Sequence, residues 1–147
     1  MKNLRDFKNF SLKEFDSLLI ERLNSWSLPV LRVSLGIVFI WFGALKPFGD
    51  SPANEVITKT IYWFDPDIFI PILGVWEILI GICLLYTPLL RFGLFLLALQ
   101  MPGTFLPLVL RPEICFIDAP FNLTLEGQYI IKNLVLIAAA MVVGGKL

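Results

Sequence analysis

Four apolar stretches, each long enough to cross a bilayer and each carrying a charged or amide side chain, constrain this chain more than any other feature. They lie at about residues 28–46, 68–86, 92–110 and 125–145, joined by connections without repeats or low-complexity sequence. The hydrocarbon core of a bilayer is about 30 Å thick, and a helix needs about 20 apolar residues to cross it. Charge is too scarce for a soluble domain. Of the 147 residues 16% are charged and 57% hydrophobic, against roughly 25% charged in an average soluble protein. The pattern predicts an all-α, integral membrane four-helix bundle whose first partner is the lipid bilayer. The net charge is zero, so no nucleic-acid partner is expected. The chain has no histidine, which excludes His-ligated haem, His-based metal sites and His-dependent nucleophilic catalysis. No metal site and no complete catalytic set can be assembled from what remains.

The first span, LRVSLGIVFIWFGALK at residues 31–46, places Arg32, Gly36, Phe39, Gly43 and Lys46 on one helical face. Val38, Ile40, Trp41 and Leu45 form the opposite, lipid-facing side. In the second span Glu77 is flanked by Gly74 and Gly81 on a small-residue face, which is expected to meet the glycine stripe of the first span. In the third, Gln100 precedes Met101-Pro102-Gly103, predicting a kink at Pro102 and close packing at Gly103. The fourth carries Lys132 and Asn133 in its first turns.

Residues 1–27 lack the compact apolar core and cleavage site of a signal peptide. Ser11-Leu12-Lys13-Glu14 has the form of a capping box. Leu12, Phe15, Leu19, Leu23 and Trp26 then share one face, predicting an N-terminal amphipathic interfacial helix, on the membrane or on a partner subunit. Pro29 is expected to open the first span. The chain thus divides into a cytoplasmic amphipathic segment, 1–27, and a four-transmembrane-helix domain, 28–147. Between spans one and two, Ser51-Pro52 predicts the start of a short external helix across the bundle mouth, running to about Trp63. Residues 111–124 read as an irregular loop, after which Thr124 caps the last helix, with Glu126 in its first turn. The bias of lysine and arginine places both termini in the cytoplasm of a bacterial inner membrane. Cys83 and Cys115 then lie at opposite faces. A disulfide needs Cα atoms within about 7 Å, so the two are expected to stay unpaired.

The intramembrane polar residues Arg32, Lys46, Glu77, Gln100, Lys132 and Asn133 are expected to turn inward, since exposing an ionisable group to lipid costs about 2.5–3.5 kcal/mol. Arg32 or Lys132 is the expected partner of Glu77. Lys46, at a span end, reads as a lysine snorkelling to the interface. That arrangement leaves a positive excess inside the bundle or at its mouth.

RVSLGIVFIWFGALK, the GVWEILIG around Glu77, and GQYIIKNLVL at 127–136 resemble the DoxX-like membrane proteins and the related inner-membrane family associated with resistance to reactive chlorine. The resemblance covers about residues 28–145. It implies a four-helix bundle, in some relatives a subunit of quinone-linked or thiol-linked oxidoreductase systems. Matched by motif, Arg32 and Lys46 are the charged ends of the first helix, Glu77 the second-helix acid and Lys132 the fourth-helix base. The chain lacks a Cys-x-x-Cys pair, which departs from the thiol-redox bundles and weighs against disulfide exchange by this chain alone. The expected function is a redox-associated or accessory subunit, working with other membrane subunits or as a homo-oligomer. No cofactor is required by the residues, and a quinone is the ligand the resemblance implies. The competing expectation is a small-molecule or proton-linked transporter using Glu77 with Arg32 and Lys132.

Overall fold

The structure is a computed structural model that describes residues 4–49 and 51–147, with side chains from Leu12 onward. The side chains of Lys2, Arg5, Lys8 and Ser11, on which the N-terminal charge bias and the capping box rest, lie outside the described residues, as does Asp50. In chain order the elements are α1 (Leu4–Leu45), α2 (Ala53–Thr60), α3 (Pro66–Leu85), α4 (Leu90–Leu110), α5 (Pro112–Cys115), β1 (Phe116–Asp118), β2 (Asn122–Leu123), α6 (Leu125–Ile131) and α7 (Asn133–Gly144). Among the described residues four helical stretches are long and apolar enough to cross a membrane, one each in α1, α3, α4 and the α6–α7 pair. This makes the chain a multi-pass membrane protein.

Glycine decides how the first two spans meet. A Cβ on Gly43 would stand 2.5 Å from the Gly74 carbonyl oxygen, and one on Gly81 the same 2.5 Å from that of Gly36. No other residue fits at either crossing, so the glycine stripe of α1 lies directly on the glycine face of α3. α4 packs on α3 through Gly93, where a Cβ would meet that of Cys83 at 2.7 Å. Leu35 and Phe39 of α1, Ile80 and Leu84 of α3, Leu97 of α4 and Val143 of α7 fill the core. Large apolar side chains such as Trp41, Val75, Phe95 and Val135 remain exposed around the bundle, where lipid would cover them.

Four local expectations are corrected. α1 is one helix of 42 residues that passes through both Ser11 and Pro29, so neither position begins a helix. Proline adopts helical φ readily, and the bond it omits, to the Ser25 carbonyl, falls at an exposed turn where other groups can serve that oxygen. The fourth span is divided at Lys132, where α6 ends and α7 begins. Gly103 packs against nothing: no atom lies within 4 Å of where its Cβ would be. Residues 111–124 are folded, with α5 leading into an antiparallel β1–β2 hairpin.

That folded connection is tied to α6 by Thr124. Its hydroxyl donates to the Ile114 carbonyl at 2.6 Å and accepts from the Gly127 amide at 3.1 Å, the predicted N-cap. Cys115 is fully buried behind it. Burial, helped by the nearby Glu126 and Glu113 carboxylates, pushes its thiol above the ordinary range. Both cysteines are free.

Candidate functional site

Lys46 follows the last residue of α1, and the turn after it is fixed on several sides. Its amide donates to the Gly43 carbonyl, and its own carbonyl accepts from the Gly49 amide at 3.2 Å and from the Asn54 side chain at 3.1 Å. Gly49 has φ +81°, which a residue with a side chain adopts only with strain. The turn therefore aims Lys46 back into the bundle instead of out to the interface, and the snorkelling expectation is overturned. Its Nζ donates to Glu77 Oε2 at 2.5 Å, and Gln100 Nε2 donates to Glu77 Oε1 at 2.8 Å. Lys46 and Glu77 are only 3% and 8% exposed. Three helices thus contribute one group each, and both oxygens of the carboxylate are bonded.

Arg32 and Lys132 do not take part, which corrects the pairing expected for Glu77. Arg32 reaches the other end of α3. Its Nε donates to the Leu84 carbonyl at 2.5 Å, and its Nη2 donates to the Leu85 carbonyl at 2.7 Å and to Thr87 Oγ1 at 2.9 Å. It neutralises the negative end of that helix and satisfies carbonyls left without helical partners. Lys132 is exposed at the break between α6 and α7. Among the described residues the chamber interior therefore holds one acid, Glu77, bonded to one base, Lys46, in place of the positive excess expected.

A cavity of about 260 Å³ opens beside the pair. Lys46, Glu77, Gln100, Thr104, Tyr129 and Asn133 supply its polar lining. The remaining wall is apolar: Phe39 and Phe42 from α1, Val56 and Ile57 from α2, Phe69 and Leu73 from α3, and Met101 and Pro107 from α4. Lys46, Glu77, Gln100 and Asn133 were legible from their charge or amide character within apolar spans. Thr104, Tyr129 and the phenylalanines were missed as site residues, because an apolar or weakly polar residue in a span reads equally well as core or lipid contact. The tyrosine's amphipathic ring and its place near Lys132 and Asn133 were the only signal available. Among the described residues three buried side-chain polar atoms have no hydrogen-bond partner: Gln100 Oε1, Trp76 Nε1 and Asn54 Oδ1. The register that sets Cys83 against Gly93 brings Trp76 level with Gln100 on the facing helix.

Chemically, the site offers an ammonium with two remaining N–H donors, a carboxylate already bonded at both oxygens, and amide and hydroxyl groups around an apolar chamber. Sites of this composition bind a small, largely apolar molecule and orient it by one polar end. Among the described residues no group of His, Cys, Asp and Glu side chains gathers that could hold a metal ion. Comparison with family models, with curated proteins and with solved structures finds no match to this chain.

Proposed function

We propose that this chain is a redox-associated accessory subunit of a membrane complex that holds a quinone-type ring molecule between its helices. One observation carries the proposal: a buried Lys46–Glu77–Gln100 cluster faces an apolar chamber of about 260 Å³. A sealed apolar cavity of about 150 Å³ accommodates benzene, so this chamber is large enough for one substituted six-membered ring. The free N–H bonds of Lys46 suit a ring carbonyl, and the aromatic wall suits the ring face. The resemblance to DoxX-like proteins points the same way, since Lys46 and Glu77 are among the residues that carry it. The orientation that fits is an inner-membrane one with both termini in the cytoplasm, because Lys13, Arg22, Arg91 and Lys146 fall on the terminal side.

The accessory role draws support from the N-terminal part of α1. Leu12, Phe15, Leu19, Leu23 and Trp26 are all exposed on the part of α1 that continues beyond the first span, a face suited to a partner subunit. The proton-linked transport reading loses support, because Arg32 and Lys132, its relay groups, stand apart from Glu77.

The test is purification in native-lipid nanodiscs, with mass spectrometry of the organic extract and thermal unfolding with added quinone. The expected result is co-extracted quinone and a quinone-dependent rise in melting temperature, both reduced in Gln100→Ala. Absence of both in the wild-type protein would sink the proposal.

A further inference from the structure

The two approaches to the chamber differ. On the side that leaves the membrane, α2 closes it: Val56 and Thr60 are 6% and 2% exposed, and Ser51 before the helix is also buried. On the side that faces lipid, lining residues are at the same time part of the outer surface. Leu106, on the spanning part of α4, lines the chamber and is 38% exposed. Gly103 lines it as well, is exposed, and has no atom within 4 Å of its missing Cβ.

The spacing of α3 and α4 accounts for the opening. The pair is in tight contact where Gly93 meets Cys83. Followed along the antiparallel register, Gly103 comes level with Leu73, another lining residue, and there the space beside the glycine is empty. Pro107 has no N–H to give the Gly103 carbonyl one turn earlier. At membrane depth such an acceptor is tolerated where it borders a cavity, not where it meets lipid alone. Gly103 lies about 10 Å inside the end of α4 at about 1.5 Å per residue, below the level of Arg111.

We infer that the chamber is filled sideways from the bilayer, through a slot between α3 and α4 at Gly103. Its occupant is a ring-headed molecule whose apolar tail remains in that slot. The inference rests on the ring-ligand reading above and adds to it the route and the tail. A freely water-soluble ligand would have to displace α2, whereas a membrane-dissolved one meets an open edge. Phe64 and Phe69, with ring centroids 5.9 Å apart, also line the chamber.

The test uses the full chain in nanodiscs and two probes, a decyl-tailed benzoquinone and its tail-less ring, with affinity measured by equilibrium binding. Gly103→Phe adds a side chain whose Cβ meets no atom within 4 Å, so the fold should persist. The expected result is a loss of about tenfold or more for the tailed probe, the effect of unburying about two methylene groups. The tail-less probe should lose several-fold less, so that the ratio of the two affinities falls. Gly103→Leu, a smaller filling of the slot, should shift the same ratio if Gly103→Phe does not fold, and Gln100→Ala should weaken both probes alike. Unchanged affinity for the tailed probe, or equal loss of both in the slot variants, would overturn the inference while leaving the ring-ligand reading intact. Failure of either probe to bind wild type would overturn that reading and the inference with it.

Discussion

Glu77→Gln is the most informative single change. It keeps the shape of the side chain, and with it the hydrogen-bonding capacity toward Gln100, but removes the negative charge 2.5 Å from Lys46 Nζ. Lys46 is almost wholly buried, and its turn is fixed by the Gly43, Gly49 and Asn54 contacts, so it cannot retreat to the interface. Breaking a buried pair by removing one partner typically costs about 3–5 kcal/mol. For a chain of this size each kcal/mol moves the melting temperature by roughly 2–4 °C, so a drop on the order of 10 °C is expected. Water entering the chamber would bring the loss toward the lower figure. Lys46→Met alone should cost a similar amount, because it leaves the carboxylate uncompensated with only Gln100 to bond it. The double variant should recover most of the loss, because no buried charge is then left without its counter-ion. The assay is a double-mutant cycle from thermal unfolding in detergent or nanodiscs. Additive single losses, or a Glu77→Gln protein as stable as wild type, would refute the reasoning.

Arg32→Met should destabilise the bundle by about 1.5–3 kcal/mol, since it removes charged hydrogen bonds to the end of α3, yet leave probe affinity at the Glu77 chamber unchanged; thermal unfolding and binding assays separate the two. Gly43→Ala should cost at least about 1–3 kcal/mol by overpacking the α1–α3 crossing, whereas Gly103→Ala should be nearly neutral, a contrast read in one melting series. Cys115 should react slowly with an impermeant thiol reagent near neutral pH. It is fully buried and its thiol is pushed upward, so little reactive thiolate forms; rapid labelling in the folded protein would show that the α5–hairpin segment opens.

The spans were legible because hydrocarbon thickness sets a length that few sequences meet by chance, and the α1–α3 contact was legible because glycines at helical spacing admit a close backbone. The unit at 111–124 was not, since its order comes from contacts with distant groups. Thr124 reaches Ile114, and Cys115 is enclosed by Val56 of α2, Phe105 and Leu108 of α4 and Ile130 of α6, contacts that local sequence pattern does not encode. Helix continuity through Pro29 was hidden for a related reason. Proline signals a missing hydrogen bond, and whether the helix ends there depends on whether the freed carbonyl can be served where it lies. The chamber was only half visible. Its charged and amide groups stand out in apolar spans, but its walls share their residue types with the lipid-facing surface, and only the three-dimensional arrangement separates them.

The choice of Lys46 over Arg32 as the partner of Glu77 follows from two facts about helices that spacing alone leaves out. The glycine contacts, Gly36 with Gly81 and Gly43 with Gly74, set an antiparallel register that puts Glu77 level with Ile40 and Arg32 level with Leu85. At about 1.5 Å per residue, Lys46 then lies about 9 Å along the axis from the level of Glu77, and Arg32 about 12 Å on the other side. Both separations are within the combined reach of two extended side chains, so distance does not decide. Direction does, because every Cα–Cβ bond in a helix tilts toward the N-terminus. In this antiparallel pair Glu77 leans along α3 toward the level of Lys46, and the turn after α1 aims Lys46 back toward Ile40, so the two converge. Arg32 leans away from Glu77 and toward the end of α3, where it finds the Leu84 and Leu85 carbonyls. A cation beyond the C-terminal end of a glycine stripe is therefore the natural partner for an acid in the middle of the opposing span, and one at the N-terminal end is the natural cap for that span's last turn.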